Sequence, residues 1–172
     1  MRDSRSAVEC MQRTFRSGNI GALMDEYERA AGVLKHLVEA IPEDKFVEIL
    51  DSATRDADCR SVQTIMAHVV GAGYAYADYL RELFSIRPDR PSPQAFSHRE
   101  SLARLDEMLA YTVQTLEGKW IMSDAEITAS VIHSRWGVTY DAEQLLEHAI
   151  VHVLRHRRQV EKLIASANLN LS

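Results

Sequence analysis

Near one end the chain reads Leu145-Leu-Glu-His-Ala-Ile-Val-His-Val-Leu-Arg-His-Arg-Arg-Gln159, with three histidines at intervals of four residues. Apolar residues recur through this stretch at three- and four-residue steps, which predicts an amphipathic helix. The histidines are His148, His152 and His156. Residues four apart lie on one face of a helix, so two adjacent histidines can chelate one metal ion, and a histidine from a neighbouring helix can complete the site. The stretch therefore predicts both a helical fold and a metal centre.

The helical phase of the three histidines selects one pair. Eight residues of helix advance about 12 Å, so His148 and His156 cannot reach the same ion. With His152 set at zero and a step of about 100° per residue, His156 falls at roughly 40°, inside the apolar sector. His152 lies at the edge of that sector and His148 lies outside it. We therefore predict that His152 and His156 are the pair that faces the interior.

Three further helices are predicted upstream. They run from about Ile20 to Ala40, from about Ser61 to Phe84, and from a Ser-x-x-Glu capping box at Ser97 to about Gly118. Pro42 ends the first helix. The second helix carries His68 at the margin of its apolar stripe, next to Tyr79. Three prolines between residues 87 and 93 form a rigid crossover into the third helix.

The fourth helix is expected to begin with Thr139 as its N-cap and to continue to about Ala167. Before it, the β-branched run from Ile127 to Ile132 predicts a short extended segment. Four amphipathic helices in one domain without an internal repeat indicate the all-α class and a four-helix bundle. The bundle is expected over residues 20–172, with residues 1–19 forming an N-terminal arm or a short extra helix.

Composition excludes several classes of protein. The net charge of −5 argues against a nucleic-acid partner, and the longest apolar runs are too short to span a membrane. The first residues lack the apolar core of a signal peptide, so the expected location is the cytoplasm. Cys10 and Cys59 are too few for a disulfide scaffold and have no cysteine at metal-binding spacing, so they are expected to be unpaired thiols.

Three neutral imidazoles from His68, His152 and His156 would leave a coordination position open, as in catalytic zinc sites. Imidazole also suits other metals, so we expect one divalent ion, zinc or nickel first, with iron, manganese or copper as alternatives. The alternative is that these histidines are ordinary surface or core residues, since His-x-x-x-His pairs also occur by chance. That interpretation is applied to His36, His98 and His133.

Neighbours of the metal site are expected on the same helices. Glu147 and Asp78 are candidates to accept a hydrogen bond from a ligating imidazole. Tyr79 is the candidate to line the pocket. Trp136 and Tyr140, just before the fourth helix, are expected to anchor their loop on the bundle or to form a wall of the site.

The pattern resembles the DinB-like family, which includes bacillithiol transferases and mycothiol-dependent isomerases. The resemblance rests on Thr64-Ile-Met-Ala-His68, on the run from Leu145 to Gln159 that ends His-Arg-x-Gln, and on the Pro-rich crossover. It implies an up-down-down-up four-helix bundle that holds one divalent metal through His68, His152 and His156, often as a homodimer. His148 matches a position that is often histidine in the family without being a ligand. Arg158 stands where the family commonly has glycine, at an outward position.

The resemblance also implies a reaction on a small-molecule substrate, in which the metal activates a thiol or water. Thiol S-transfer with a low-molecular-weight thiol is the expected chemistry. The alternative is a non-enzymatic stress-response or interaction module with a structural or vestigial metal site. A di-iron carboxylate protein is excluded because the chain has no Glu-x-x-His motif, and a serine hydrolase is unsupported because it has no Gly-x-Ser-x-Gly motif.

Overall fold

The computed structural model describes residues 15–92 and 96–167. The expected N-terminal arm or extra helix at residues 1–19 lies largely outside these ranges, as do residues 168–172 and part of the Pro-rich crossover. The first described helix begins at Gly18, two residues before its predicted start. The domain boundary at residue 20 therefore stays a prediction.

The described residues are mostly helical, which confirms the all-α class. In chain order the elements are α1 Gly18–Glu39, α2 Glu43–Val47, a 3-10 helix Ala57–Cys59, α3 Val62–Leu83, α4 His98–Leu116, α5 Asp124–Ala129, β1 Ile132–His133, β2 Thr139–Tyr140 and α6 Ala142–Ser166. The two strands form a small antiparallel hairpin. No helix within the described ranges is both long and apolar enough to cross a membrane.

The predicted capping box opens α4. The Ser97 side chain accepts a hydrogen bond from the Glu100 backbone N–H, and a Glu100 carboxylate oxygen accepts one from the Ser97 backbone N–H. A comparable pair, Ser61 and Thr64, opens α3, the helix that carries His68. Because these caps satisfy the first backbone N–H groups of each helix, they fix where α3 and α4 begin.

The predicted start of the last helix is wrong by two residues. Its N-cap is Asp141, whose carboxylate accepts a hydrogen bond from the Gln144 backbone N–H at 2.8 Å. Thr139 instead pairs with His133 in the hairpin, so its backbone belongs to β2. Asp is at least as good an N-cap as Thr, and the strand pairing extends the chain up to residue 140.

The extended segment predicted from Ile127 to Ile132 is only partly correct. Its first half belongs to α5, which Ser123 and Glu126 open with a further capping box. Of the predicted segment, only Ile132 belongs to a strand, β1. The capping box and the burial of Ile127 outweigh the β-branched composition, which is a weak and context-dependent preference.

The four long helices pack around one apolar core. α1 and α3 each pack against both α4 and α6. The largest fully buried side chains of this core include Met24, Tyr27, Leu34, Ile65, Leu80, Leu105, Met108 and Leu145. Gly73 lets α3 approach α4 closely, since a Cβ atom there would lie 2.4 Å from Met108 Sδ. α3 thus packs against both α4 and α6, and this packing places His68 beside α6.

Hydrogen bonds from two side chains show which helix ends lie close together. Gln63 Nε2 donates to the Phe96 carbonyl oxygen at 2.7 Å, which joins the beginning of α3 to the residues just before α4. His98 Nε2 donates to the Val38 carbonyl oxygen at 2.8 Å, which joins the beginning of α4 to the end of α1. The beginnings of α3 and α4 therefore lie close to each other, near the end of α1.

Candidate metal centre

Three imidazole rings converge between α3 and α6. His68 Nε2 lies 3.1 Å from His152 Nε2, and His156 Nε2 also lies 3.1 Å from His152 Nε2. One ring nitrogen from each of the three histidines lies within 4.8 Å of the other two. For comparison, tetrahedral zinc with Zn–N bonds of about 2.0–2.1 Å separates its nitrogen ligands by roughly 3.3 Å. The donor set therefore fits a divalent cation in type and in spacing.

The two helices place these rings by phase, as the sequence predicts. His152 and His156 lie one turn apart on α6 and are 7% and 2% exposed. His68, in the second turn of α3, keeps 33% of its side chain exposed. The pair on α6 is thus fixed by surrounding packing, whereas the third ring borders solvent. The cluster is therefore open to solvent on the side of His68.

Burial keeps the two α6 histidines neutral. It is the main cause that lowers the pKa of His152 to about 3, followed by repulsion from His156 and His68. Burial, followed by repulsion from His68, lowers the pKa of His156 to about 4. Both side chains are therefore unprotonated at neutral pH, which is the state that binds metal.

A carboxylate that sequence reasoning missed contacts the site. Asp58 Oδ2 lies 3.0 Å from His68 Nδ1, the ring nitrogen that points away from the other two histidines. The prediction that Asp78 or Glu147 accepts a hydrogen bond from one of these imidazoles is wrong. Asp78 accepts a hydrogen bond from the Tyr111 hydroxyl and pairs with Arg90, and Glu147 is exposed without a hydrogen bond to the three histidines. The sequence feature that could have indicated Asp58 is the Asp-rich segment directly before α3.

Aromatic rings border the cluster on the other side. The Tyr76 ring lies edge-on to His152 at 5.6 Å and to His148 at 5.4 Å. Trp136 stacks on His148 with centroids 5.6 Å apart, and its Nε1 donates to the Tyr140 hydroxyl at 3.1 Å. His148 is thus engaged with aromatic side chains and lies outside the three-histidine group. Trp136 and Tyr140 anchor the hairpin on α3 and α6 through their contacts with Tyr76 and His148.

The described contacts of Tyr79 are with the hairpin. Its hydroxyl accepts a hydrogen bond from the Arg135 backbone N–H at 2.8 Å and so holds the hairpin. Tyr76 contacts His152 instead. The remaining histidines lie elsewhere, as expected: His98 is bonded to a backbone carbonyl, and His36 and His133 are exposed.

Cys59 lies close to the site but outside the ligand group. Its Sγ is 3.3 Å from Asp56 Oδ2 and 3.7 Å from Gln159 Oε1 on α6. Burial and the neighbouring Asp56 carboxylate raise the pKa of this thiol to about 11, so it stays protonated and can donate a hydrogen bond. Cys59 is free, as expected, while Cys10 lies outside the described residues.

Comparison with known families agrees with this architecture. No functionally curated protein matches the chain. The model of the DinB family matches residues 11–167, nearly the whole chain, including α3 and α6 with their histidines. The resemblance seen in the histidine motifs is therefore confirmed, and the chain belongs to the DinB family.

Proposed function

We propose that the protein is a metal-dependent enzyme in which His68, His152 and His156 hold one divalent ion. The observation that carries the proposal is the spacing of the three Nε2 atoms, with both His68 and His156 at 3.1 Å from His152. Two of the imidazoles are held neutral by burial, and the third borders solvent. Zinc or nickel is the proposed ion, with iron, manganese and copper as alternatives.

The proposed reaction is thiol S-transfer to a small electrophilic molecule. A divalent ion with an open position would lower the pKa of a thiol or water molecule placed there. In the reaction the thiol loses its proton to solvent, its sulfur forms a bond to the electrophilic carbon, and the leaving group departs with its bonding electrons. The three histidines would bind the ion and so orient the thiol, and Tyr76, whose ring packs against His152, covers one side of the cluster.

We also propose an up-down-down-up order for the four long helices. The beginning of α3 meets the beginning of α4 and the end of α6, whereas the beginning of α4 meets the end of α1. A homodimer is proposed from membership of the family. It is supported by Val151 and Leu154, two apolar side chains exposed on the outer face of α6. No nucleic-acid or membrane partner is proposed.

A thiol-consumption assay tests the enzymatic proposal. Protein loaded with zinc or nickel is mixed with a low-molecular-weight thiol and an activated aryl chloride, and the loss of free thiol is followed. We expect metal-dependent consumption that disappears in His152→Ala. The control His36→Ala removes an exposed histidine far from the cluster and should react as the wild type does. Stoichiometric metal without consumption of any thiol tested would contradict S-transfer.

A structural role for the metal is the second candidate, in a non-enzymatic stress-response or interaction module. It is favoured by the near-complete burial of His152 and His156, since an ion there would tie α6 to α3. The discriminating variant is His68→Ala. If it loses the metal and the fold is destabilised, a structural metal is favoured. If it loses the metal but keeps the fold and the cellular phenotype, the module with a vestigial site is favoured. If it keeps the fold but loses a thiol-dependent activity, the enzyme is favoured.

A further inference from the structure

Asp58 controls which nitrogen of His68 carries the proton. A carboxylate oxygen can only accept, so the His68 Nδ1 atom 3.0 Å from Asp58 Oδ2 must be the donor. In a neutral imidazole the other nitrogen then has a free lone pair. That nitrogen is Nε2, the atom that lies 3.1 Å from His152 Nε2. The contact with Asp58 thus selects the tautomer that can bind a cation at the cluster.

Two hydrogen bonds stabilise the segment that carries Asp58, one within the segment and one to α6. The Asp58 backbone N–H donates to Asp56 Oδ1 at 3.0 Å, which stabilises the 3-10 helix. The next residue, Cys59, contacts Gln159 on α6, one turn beyond His156. The backbone that carries Asp58 is therefore tied to α6, and the Asp58 side chain reaches from it to His68 on α3.

His68 is the ligand that most needs such a contact. Packing surrounds His152 and His156, which are 7% and 2% exposed, so their ring orientations are constrained without help. The His68 side chain is 33% exposed, and a half-free ring samples other orientations and both tautomers. A hydrogen bond to Nδ1 removes that freedom before any ion arrives.

We propose that Asp58 is a positioning residue that holds His68 in the orientation and tautomer required for binding a divalent cation, and that the Asp56–Cys59 segment is part of the metal site. The inference rests on the proposed three-histidine site. The carboxylate also adds a negative charge next to three neutral ligands, which offsets part of the charge of a bound ion.

Three variants separate positioning from charge. Asp58→Ala removes the hydrogen bond and the charge, Asp58→Asn removes the charge but keeps an oxygen that can accept from Nδ1, and Glu147→Gln removes an exposed charge from α6 that has no hydrogen bond to the three histidines. The zinc dissociation constant of each is measured by competition with a chromophoric chelator, and the cobalt(II) absorption spectrum reports the ligand geometry.

We expect Asp58→Ala to weaken zinc binding about tenfold, the lower end of the roughly 10- to 100-fold range for such partners, because the Asp58 side chain is 60% exposed. Asp58→Asn should recover part of the loss. Glu147→Gln should stay within about threefold of wild type, since charges exposed to solvent are screened. An effect of Glu147→Gln equal to that of Asp58→Ala, or no recovery in Asp58→Asn, would overturn the positioning role.

A second readout needs no metal. The ring nitrogens of His68 in the metal-free protein are observed by nitrogen-15 NMR, and we expect the Nδ1–H tautomer in wild type and a mixture in Asp58→Ala. Thermal unfolding of the metal-free variants checks the fold. Wild-type zinc affinity and an unchanged tautomer in Asp58→Ala would overturn the inference while leaving the three-histidine site intact, whereas a wild-type protein that binds no metal would overturn both.

Discussion

His68 and His152 are separated by 84 residues in the chain, yet their Nε2 atoms lie 3.1 Å apart. Two neutral imidazoles at that distance share at most one hydrogen, and His156 Nε2 lies just as close to His152. Hydrogen bonding alone cannot satisfy all three nitrogens, because each contact needs one donor and one acceptor. A cation that accepts a lone pair from each ring resolves the conflict.

Metal binding should therefore depend on each of the three rings. The wild-type protein should hold one divalent ion per chain, measured by metal analysis after dialysis. His68→Ala, His152→Ala and His156→Ala should each weaken binding by more than the roughly 100-fold that loss of an outer hydrogen-bond partner costs, because each removes a direct ligand.

The matched control for these variants is His148→Ala. His148 lies on the same helix, one turn before His152, and its contacts are with Trp136, Tyr140 and Tyr76. We expect its metal content to equal that of the wild type. Metal retained at full stoichiometry in His68→Ala would mean that the proposed ligand set is wrong.

The metal-free protein should lose stability in mild acid. Burial lowers the pKa of His152 to about 3 and of His156 to about 4, whereas an unfolded histidine titrates near 6.5. The unfolded state thus binds more protons below pH 6.5, and stability is complete above that pH and falls as the pH drops toward 4. Each group contributes at most about 1.4 kcal/mol per pH unit.

Urea unfolding of the metal-free protein between pH 4 and 7 measures this slope. In His152→Asn one buried titrating group is gone, so the free energy of unfolding should depend less steeply on pH. His36→Asn, at an exposed position, is the control and should keep the wild-type slope. An identical slope in His152→Asn and wild type would show that His152 does not titrate differently in the folded state.

The parts of the fold that the sequence predicts are those fixed by local rules. The four long helices follow from apolar periodicity, and α4 begins where its Ser97 capping box predicts. The errors lie between residues 123 and 141, where α5 and the hairpin are short. There the competing signals are single contacts, such as the Asp141 cap, rather than a repeated pattern.

The residues of the site likewise fall into those that local patterns predict and those that they do not. His68, His152 and His156 could be selected because phase on a helix is a local property. Asp58 could not, since it lies in an irregular segment whose path depends on tertiary contacts such as that of Cys59 with Gln159, 100 residues away. The choice between Tyr76 and Tyr79 likewise depends on how α3 is rotated against α6, which no local pattern fixes.

The corrected start of α6 predicts a stability difference between two neighbouring positions. Asp141→Ala removes the carboxylate that accepts from the Gln144 N–H, and should lower the free energy of unfolding by about 1 kcal/mol. Thr139→Ala removes only an exposed contact with His133 and should cost less than about 0.5 kcal/mol. Urea unfolding measures both, and a larger loss for Thr139→Ala would favour the original N-cap prediction.

Arg81 joins the ends of two neighbouring helices and is only 5% exposed. Its guanidinium donates to Thr115 Oγ1 at 2.9 Å, to Gln114 Oε1 at 2.7 Å and to the Arg87 carbonyl oxygen at 3.1 Å, and lies 3.8 Å from the Tyr111 ring centroid. No carboxylate of the described residues forms an ion pair with it. The last turns of α3 and α4, which carry partial negative charge, supply the compensation instead.

This arrangement predicts that Arg81 is needed for its shape as well as its charge. Arg81→Met leaves three acceptors without their donor and should lower the free energy of unfolding by about 2–4 kcal/mol. Arg81→Lys keeps the charge but cannot reproduce the planar fork, so it should recover less than half of the loss. Arg158→Met, at an exposed position on α6, is the control and should change stability by less than about 0.5 kcal/mol. Urea unfolding measures all three, and wild-type stability in Arg81→Lys would show that charge alone is required.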